Sequence, residues 1–433
     1  MRLSRFSLGL GDRFGLEGAA QLRAVQMALV KGVTVTPVWN KSNREHTLIG
    51  TEPKNTREAA DAAVAAGGWT GPYLVDADHI TAVSVDRFLA ASDYFTIDVA
   101  DALGRPSEPE RTEAFLKSMT SLKGCHDIQG LPGPVVVSDE LLRGVAGRYL
   151  GAIREAERVY RRIEAAKGKG NFVTEVSIDE SAEPQTAAEL LLVLGALAGA
   201  GVPVQTIAPK FSGAFLKGID FVGDPEAFAA EFEADIAVID YARRTFGMDP
   251  ELKLSIHTGS DKFSLYPVIR RVAESTGAGF HLKTAGTTWL EEVIGLAAVG
   301  GEGLQAAKRI YSAACERFDE MIEPYLQVVA IDRRRLPDPR EVDGWDSGTF
   351  VRTLEHEPSR KEYSIHFRQL VHTAFRVAAE MGPAFAALLK EHRGVIEEHV
   401  TDNIFRRHVA PLFLGEVVHP SSHATIERTG NGI

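Results

Sequence analysis

Eight short β-prone runs separated by helical stretches constrain this chain more than any other feature. The runs are FSLGLGD (6–12), VTVTPVWN (33–40), PYLVDAD (72–78), YFTIDVAD (94–101), FVTEVSID (172–179), VPVQTIAPK (202–210), LKLSIHTG (252–259) and GFHLKTAG (279–286). Between them lie stretches such as EGAAQLRAVQMAL and PEAFAAEFEADIAVIDYARRTF, whose apolar residues recur at three and four. Eight such alternations close most simply into a (β/α)8 TIM barrel. An open doubly wound sheet is the competing arrangement. No GxGxxG follows the first run, which weakens a dinucleotide-binding reading.

Two places break the rhythm. Residues 102–170 hold a Gly/Pro-rich piece, KGCHDIQGLPGPVVVSDE, and a long helical pattern, LLRGVAGRYLGAIREAERVYRRIEAAK. The expectation is a barrel over 1–320 with an insertion at about 102–139, lying over or beside the mouth. After about residue 290 the pattern is mostly helical, so 321–415 reads as a helical C-terminal extension packed on the barrel. Residues 416–433 read as a flexible tail. The net charge of −11 argues against a general nucleic-acid surface. No apolar run reaches the length of a membrane span, and the N-terminus lacks a signal-peptide layout. Cys125 and Cys315 are the only cysteines and form no metal or disulfide framework. A cytoplasmic enzyme acting on a small molecule, with no nucleic-acid or membrane partner, is the expectation.

In such a barrel the C-terminal strand ends line the active site. Read in order, they give Asp12 and Arg13, Asn40 and Lys41, Asp76, Asp78 and His79, then Asp98 and Asp101. The later strands give Glu175 and Asp179, Lys210, His257 with Asp261 and Lys262, and His281 with Lys283. Polar residues gather at the ends far more than at the starts. Side chains alternate along a strand, so Glu175 shares a face with Val173 and Ser177, and His281 with Lys283. His79 is out of phase with Asp78. If both face inward, the chain leaves regular strand geometry there.

His79, His257 and His281 stand on separate strands and can surround one divalent ion, with positions left open for substrate. Zinc, nickel, manganese, cobalt or iron would suit imidazole; alternatively, each is a strand-end histidine bonded to backbone. Asp78 and Glu175 would then be the acid/base pair, or else caps and ion-pair partners. HTGSDKFSLYP is either a plain turn with an N-cap at Ser260 or Asp261, or a loop that takes an anionic group. Arg368 and His372 are i,i+4 on a helical pattern and can face the mouth together, but a solvated helix face is the favoured reading. Asp12, Arg13, Lys210, Asp261, Lys262, Lys283 and Arg368 are the candidate substrate-binding residues.

LGLGDRFG, VDADHI, FTIDVAD, EVSIDE, KGIDFVGD, SIHTGSDKFSLYP, FHLKTAGTTWLE and FRQLVH together resemble the tagaturonate epimerase family, over about residues 5–412. The resemblance implies a metal-dependent (β/α)8 barrel that interconverts D-tagaturonate and D-fructuronate, or a related ketohexose pair. It implies Asp78 as general base, Glu175 as acid, and His79, His257 and His281 as metal ligands. One departure is Lys210 before FSG, where the family pattern has Arg; an ammonium there replaces a bidentate fork. The implied reaction inverts a carbinol carbon β to the ketone, so retro-aldol cleavage and re-addition is the expected route. A metal-dependent aldolase or isomerase on a related sugar acid is the nearest rival, and a sugar-binding barrel the non-enzymatic one.

Overall fold

The computed structural model describes residues 3–179, 181, 183–284 and 286–416. The expected tail thus lies, apart from Glu416, outside the described residues. The strands are β1 (Phe6–Gly11), β2 (Val35–Ser42), β3 (Leu74–Ile80), β4 (Tyr94–Asp98), β5 (Gly124–His126), β6 (Val135–Val137), β7 (Val173–Ser177), β8 (Thr206–Ala208), β9 (Lys253–His257) and β10 (Phe280–Thr284). Eight close a barrel in the order β1–β2–β3–β4–β7–β8–β9–β10, with neighbours parallel throughout. Each of the eight expected runs supplies one barrel strand. The fold is a (β/α)8 TIM barrel with a helical C-terminal region.

The strand alternation sorts the side chains. Leu8 and Leu10, Val75 and Ala77, Phe95 and Ile97, and Leu254 and Ile256 face outward into the apolar core shared with the helices. The inward set includes Ser7, Asn40, Asp76, Thr96, Glu175, Thr206, Ser255, His281 and Lys283, all buried. Barrel interiors are usually filled with branched apolar residues. Here only a small apolar plug of Leu3, Val38, Leu74, Tyr94 and Val173 stands apart from the main core. Buried polar groups cost stability unless they are paired, so a polar interior points to function. Gly9 is needed inside: a Cβ there would meet Asn40 Nδ2 at 2.8 Å and the Lys283 backbone and side chain at 3.1 Å.

The crossovers are uneven. β3 and β4 are joined only through a short helix, Val85–Phe88, whereas the return from β4 to β7 uses the 29-residue helix Asp139–Lys167. Ser138 caps that long helix by accepting from the Leu141 amide. Before it, β5 and β6 pair as an antiparallel ribbon. This segment lies on the flank of the barrel helices: the His126 ring bonds the Tyr241 hydroxyl at 3.2 Å, and Gly130 abuts Ala237. None of residues 102–139 lines the cavity at the mouth. The ribbon's apolar residues, Val135 and Val137, are buried in the main core.

The C-terminal helices wrap the β1–β10 side. Arg393–Asp402 and the π-type helix Asn403–Leu414 pack against Gly18–Val30, and Arg393–Asp402 also against Thr287–Val299. The Trp289 indole donates to the Val371 carbonyl at 2.8 Å, tying the eighth barrel helix to the extension. No helix among the described residues is long and apolar enough to cross a membrane.

Candidate active site

VDADHI ends β3 in an irregular way. Asp76 and Asp78 point inward by strand parity. His79 follows with φ +49°, the one non-glycine residue with positive φ among those described. The pairing of β3 with β4 shifts register between Ala77 and Ile80. A left-handed non-glycine residue costs about 1–2 kcal/mol, and such conformations persist where the surroundings over-determine them. The kink turns His79 toward the same mouth as Asp78. His79 Nδ1 lies 3.2 Å from Asp98 Oδ2, which holds the ring there.

Across the mouth, His257 at the end of β9 approaches. Its ring centroid is 5.2 Å from that of His79. Nitrogens of His79 and His257 and a carboxylate oxygen of Asp179 lie within 4.8 Å of one another. His257 Nε2 is hydrogen-bonded to Glu175 Oε1 at 2.8 Å. Its Nδ1 is 3.2 Å from Asp179 Oδ2, yet is buried with no aligned hydrogen bond. Burial disfavours a charged imidazole at both positions. Asp78 and Asp98 nevertheless raise His79 to about 10, and Asp179 and Glu175 raise His257 to about 9. These carboxylates call for positive charge between them. Two imidazoles and one carboxylate, with His257 Nδ1 buried and without an aligned hydrogen bond, fit a divalent ion of the borderline type, with coordination positions to spare.

Lys283 organises the opposite side. Its Nζ sits 2.9 Å from Asp76 Oδ2, 2.9 Å from Asp78 Oδ1 and 3.3 Å from Glu175 Oε1, and donates to Thr96 Oγ1 at 2.6 Å. Burial opposes ionisation of Asp78, but Lys283, His79 and His257 together outweigh it and hold the carboxyl down at about 2. For Asp76 burial dominates, helped by Asp78 and Glu175, and pushes it up to about 7 despite Lys283. Glu175 is enclosed. Tyr94 and Thr206 hydroxyls donate to Oε2 at 2.5 and 2.8 Å, and Thr96 donates to Oε1 at 3.1 Å.

A cavity of about 790 Å³ opens above these groups. Asp78, His79, Asp179, His257 and Lys283 line it together with Arg13, Arg44, Lys210 and Lys217. Segments 211–217 and 323–328 roof it. Arg13 is paired with Glu45 at 3.0 Å. The Lys210 side chain has no hydrogen bond or ion pair among the described residues.

Other candidate residues stand apart from this cluster. His281 lies two residues below Lys283 on the same face, one layer deeper than the His79–His257 group. Its Nδ1 bonds Ser7 Oγ at 2.9 Å, and it does not join the ion-binding set. Glu175 does not line the cavity. Asp261 and Arg368 are fully buried and pair with each other at 2.7 Å; His356, His408 and Thr287 complete the Asp261 shell. Lys262 is equally buried, donating to the carbonyls of Leu216, Ile219 and Asp261. Asp12 accepts from the amides of Gly15 and Glu17 at 2.7 and 2.8 Å, a capping role. All four are buried and held by hydrogen bonds within the protein, and none lines the cavity. Asp179, not counted among the ligands from the sequence, stands in the His79–His257 group. It lies four residues after Glu175 and so shares its parity, a signal present in the sequence.

A closed parallel barrel whose mouth gathers carboxylates, histidines and lysines has the layout of small-molecule barrel enzymes. The sequence profile for tagaturonate epimerase matches residues 1–412, and the chain belongs to that family. A tagaturonate/fructuronate epimerase of Thermotoga maritima is 29% identical over 421 residues, covering 94% of this chain and 80% of the relative. The glycerol-complexed crystal structure of fructuronate-tagaturonate epimerase UxaE from Cohnella laeviribosi superposes with a TM-score of 0.76 at 26% identity, covering 94% and 81% of the two chains. Its native crystal structure gives 0.74 at 26% identity, with the same coverage.

Proposed function

We propose that this protein is a divalent-metal-dependent epimerase that interconverts D-tagaturonate and D-fructuronate. The observation that carries the reading is one cavity holding both an ionised base beside a His/Asp/His cluster and a lysine with no counter-ion. Family membership supports the substrate pair.

His79, Asp179 and His257 are the residues that would hold the ion. When bound, it supplies Lewis acidity toward a ketone oxygen. The carbon to be inverted is β to the ketone, and its C–H is not acidified. Proton abstraction from carbon would therefore act on the wrong centre. Retro-aldol cleavage avoids this. Asp78, ionised through Lys283, takes the proton of the β-hydroxyl. The C–C bond opens to an enediolate and an aldehyde, the aldehyde presents its other face, and the bond re-forms. Lys283 keeps Asp78 fixed between turnovers. Lys210, with Lys217 and Arg44 on the same wall, takes the sugar carboxylate.

The test is NMR of products from tagaturonate, using protein stripped with chelator and then reloaded with manganese, cobalt, nickel or zinc. Fructuronate should form only after reloading, without accumulation of a three-carbon aldehyde. Net release of that aldehyde marks an aldolase instead. Lys210→Gln should raise KM for the uronate by about 10-fold or more, the scale of a lost charged hydrogen bond, and leave any turnover of neutral ketohexoses unchanged.

A further inference from the structure

We infer that Glu175 is a positioning residue: it fixes the His257 ring so that Nδ1, not Nε2, faces the ion-binding position. This rests on the metal reading above. The motif gives Glu175 the part of a proton carrier, but its surroundings leave no capacity for one. A carboxylate has about four lone-pair sites. Glu175 already receives Tyr94, Thr206 and His257, with the Lys283 ammonium at 3.3 Å, and the Thr96 hydroxyl, whose one proton is shared with Asp76 at 3.0 Å, stands 3.1 Å away. It is 0% exposed and absent from the cavity wall.

The partners are set by the barrel itself. Thr96 and Thr206 stand directly beside Glu175 in the β4–β7 and β7–β8 registers. Their hydroxyls aim the carboxylate, and the carboxylate aims the imidazole. A neutral imidazole that donates through Nε2 carries its lone pair on Nδ1. That nitrogen is buried, has no aligned hydrogen bond and lies 3.2 Å from Asp179. The device recurs in mirror form at His79. There Asp98 takes Nδ1 at 3.2 Å and leaves Nε2 toward the mouth. Carboxylate–histidine pairs of this kind fix the ring and raise its basicity as a ligand.

The experiment is a cobalt titration of stripped wild type, Glu175→Gln and Glu175→Asp, followed by absorbance, with kcat measured at saturating cobalt. Glu175→Gln should weaken cobalt binding by about 10- to 100-fold, while kcat at saturation stays within a few-fold of wild type. Glu175→Asp should recover part of the affinity. Unchanged cobalt affinity with kcat at saturation down by about 100-fold or more makes Glu175 a proton carrier and overturns the inference. If neither variant folds, nitrogen-15 shifts of zinc-loaded wild type decide: a proton on His257 Nδ1 overturns it, a proton on Nε2 supports it. Absence of cobalt uptake by wild type overturns the metal reading and this role with it, whereas uptake by wild type with unchanged affinity and turnover in Glu175→Gln overturns this role alone.

Discussion

Asp78 and His79 are neighbours in sequence and yet both face one cavity. That depends on a single residue, His79, leaving the β region. Asp78→Asn should cut turnover by about 100-fold or more, the usual scale for a lost general base, and leave cobalt affinity near wild type. Near wild-type turnover in that variant removes the base assignment. His79→Ala and His257→Ala should each lose the metal, whereas His281→Ala should retain one equivalent, measured by elemental analysis after gel filtration. The sequence showed three strand-end histidines as equals because it carries no register between strands. His281 pairs with Ser255 and Ser7, and His257 with Lys283, and these pairings set their depths. Asp179 was legible by counting twos from Glu175, but it lies past the last residue of β7, where parity is no longer enforced by the ladder.

The strands were readable because each one must bury its outer face, and alternation survives in sequence. β8 was the hardest to bound: only Thr206–Ala208 pair within a nine-residue β-prone run. What no periodicity reveals is the closure between elements. The β9 loop carries Asp261, and its counter-charge Arg368 comes from the helix Ile365–Thr373, which also takes the Gly218 and Leu354 carbonyls at 2.6 Å. In sequence, both residues looked like substrate contacts. Removing one member of a buried pair strands the other, at about 3–5 kcal/mol. Asp261→Asn should therefore lower stability to urea by that amount. The folded fraction should keep its KM for substrate. A raised KM at unchanged stability would return Asp261 to the substrate list.

At the scale of the whole molecule, stability should carry a pH signature from the seam between barrel and extension. Glu291, on the helix Thr287–Val299, accepts from Asn403 Nδ2 at 2.9 Å. Burial pushes its carboxyl from 4.5 up to about 8; Arg368 opposes this, and Asp261 and Glu355 add to it. The folded state thus keeps a proton that the unfolded chain releases, and stability falls as pH rises from about 4.5 to about 8. Glu291→Gln keeps the acceptor and removes the titration. Its Tm should match wild type near pH 5 and exceed it by at least about 2 °C at pH 8. Equal Tm differences at both pH values would show that the group does not titrate across the seam.

The Asp261–Arg368 pair also bears on how the chain is made. A ribosome releases residues in order, so the eighth strand, ending at Thr284, emerges while Arg368 and His408 are still unmade. During that interval the β9 loop holds an acid whose principal partners do not yet exist. The β9 loop can therefore reach its final pairing only after the helices that carry those partners have been made.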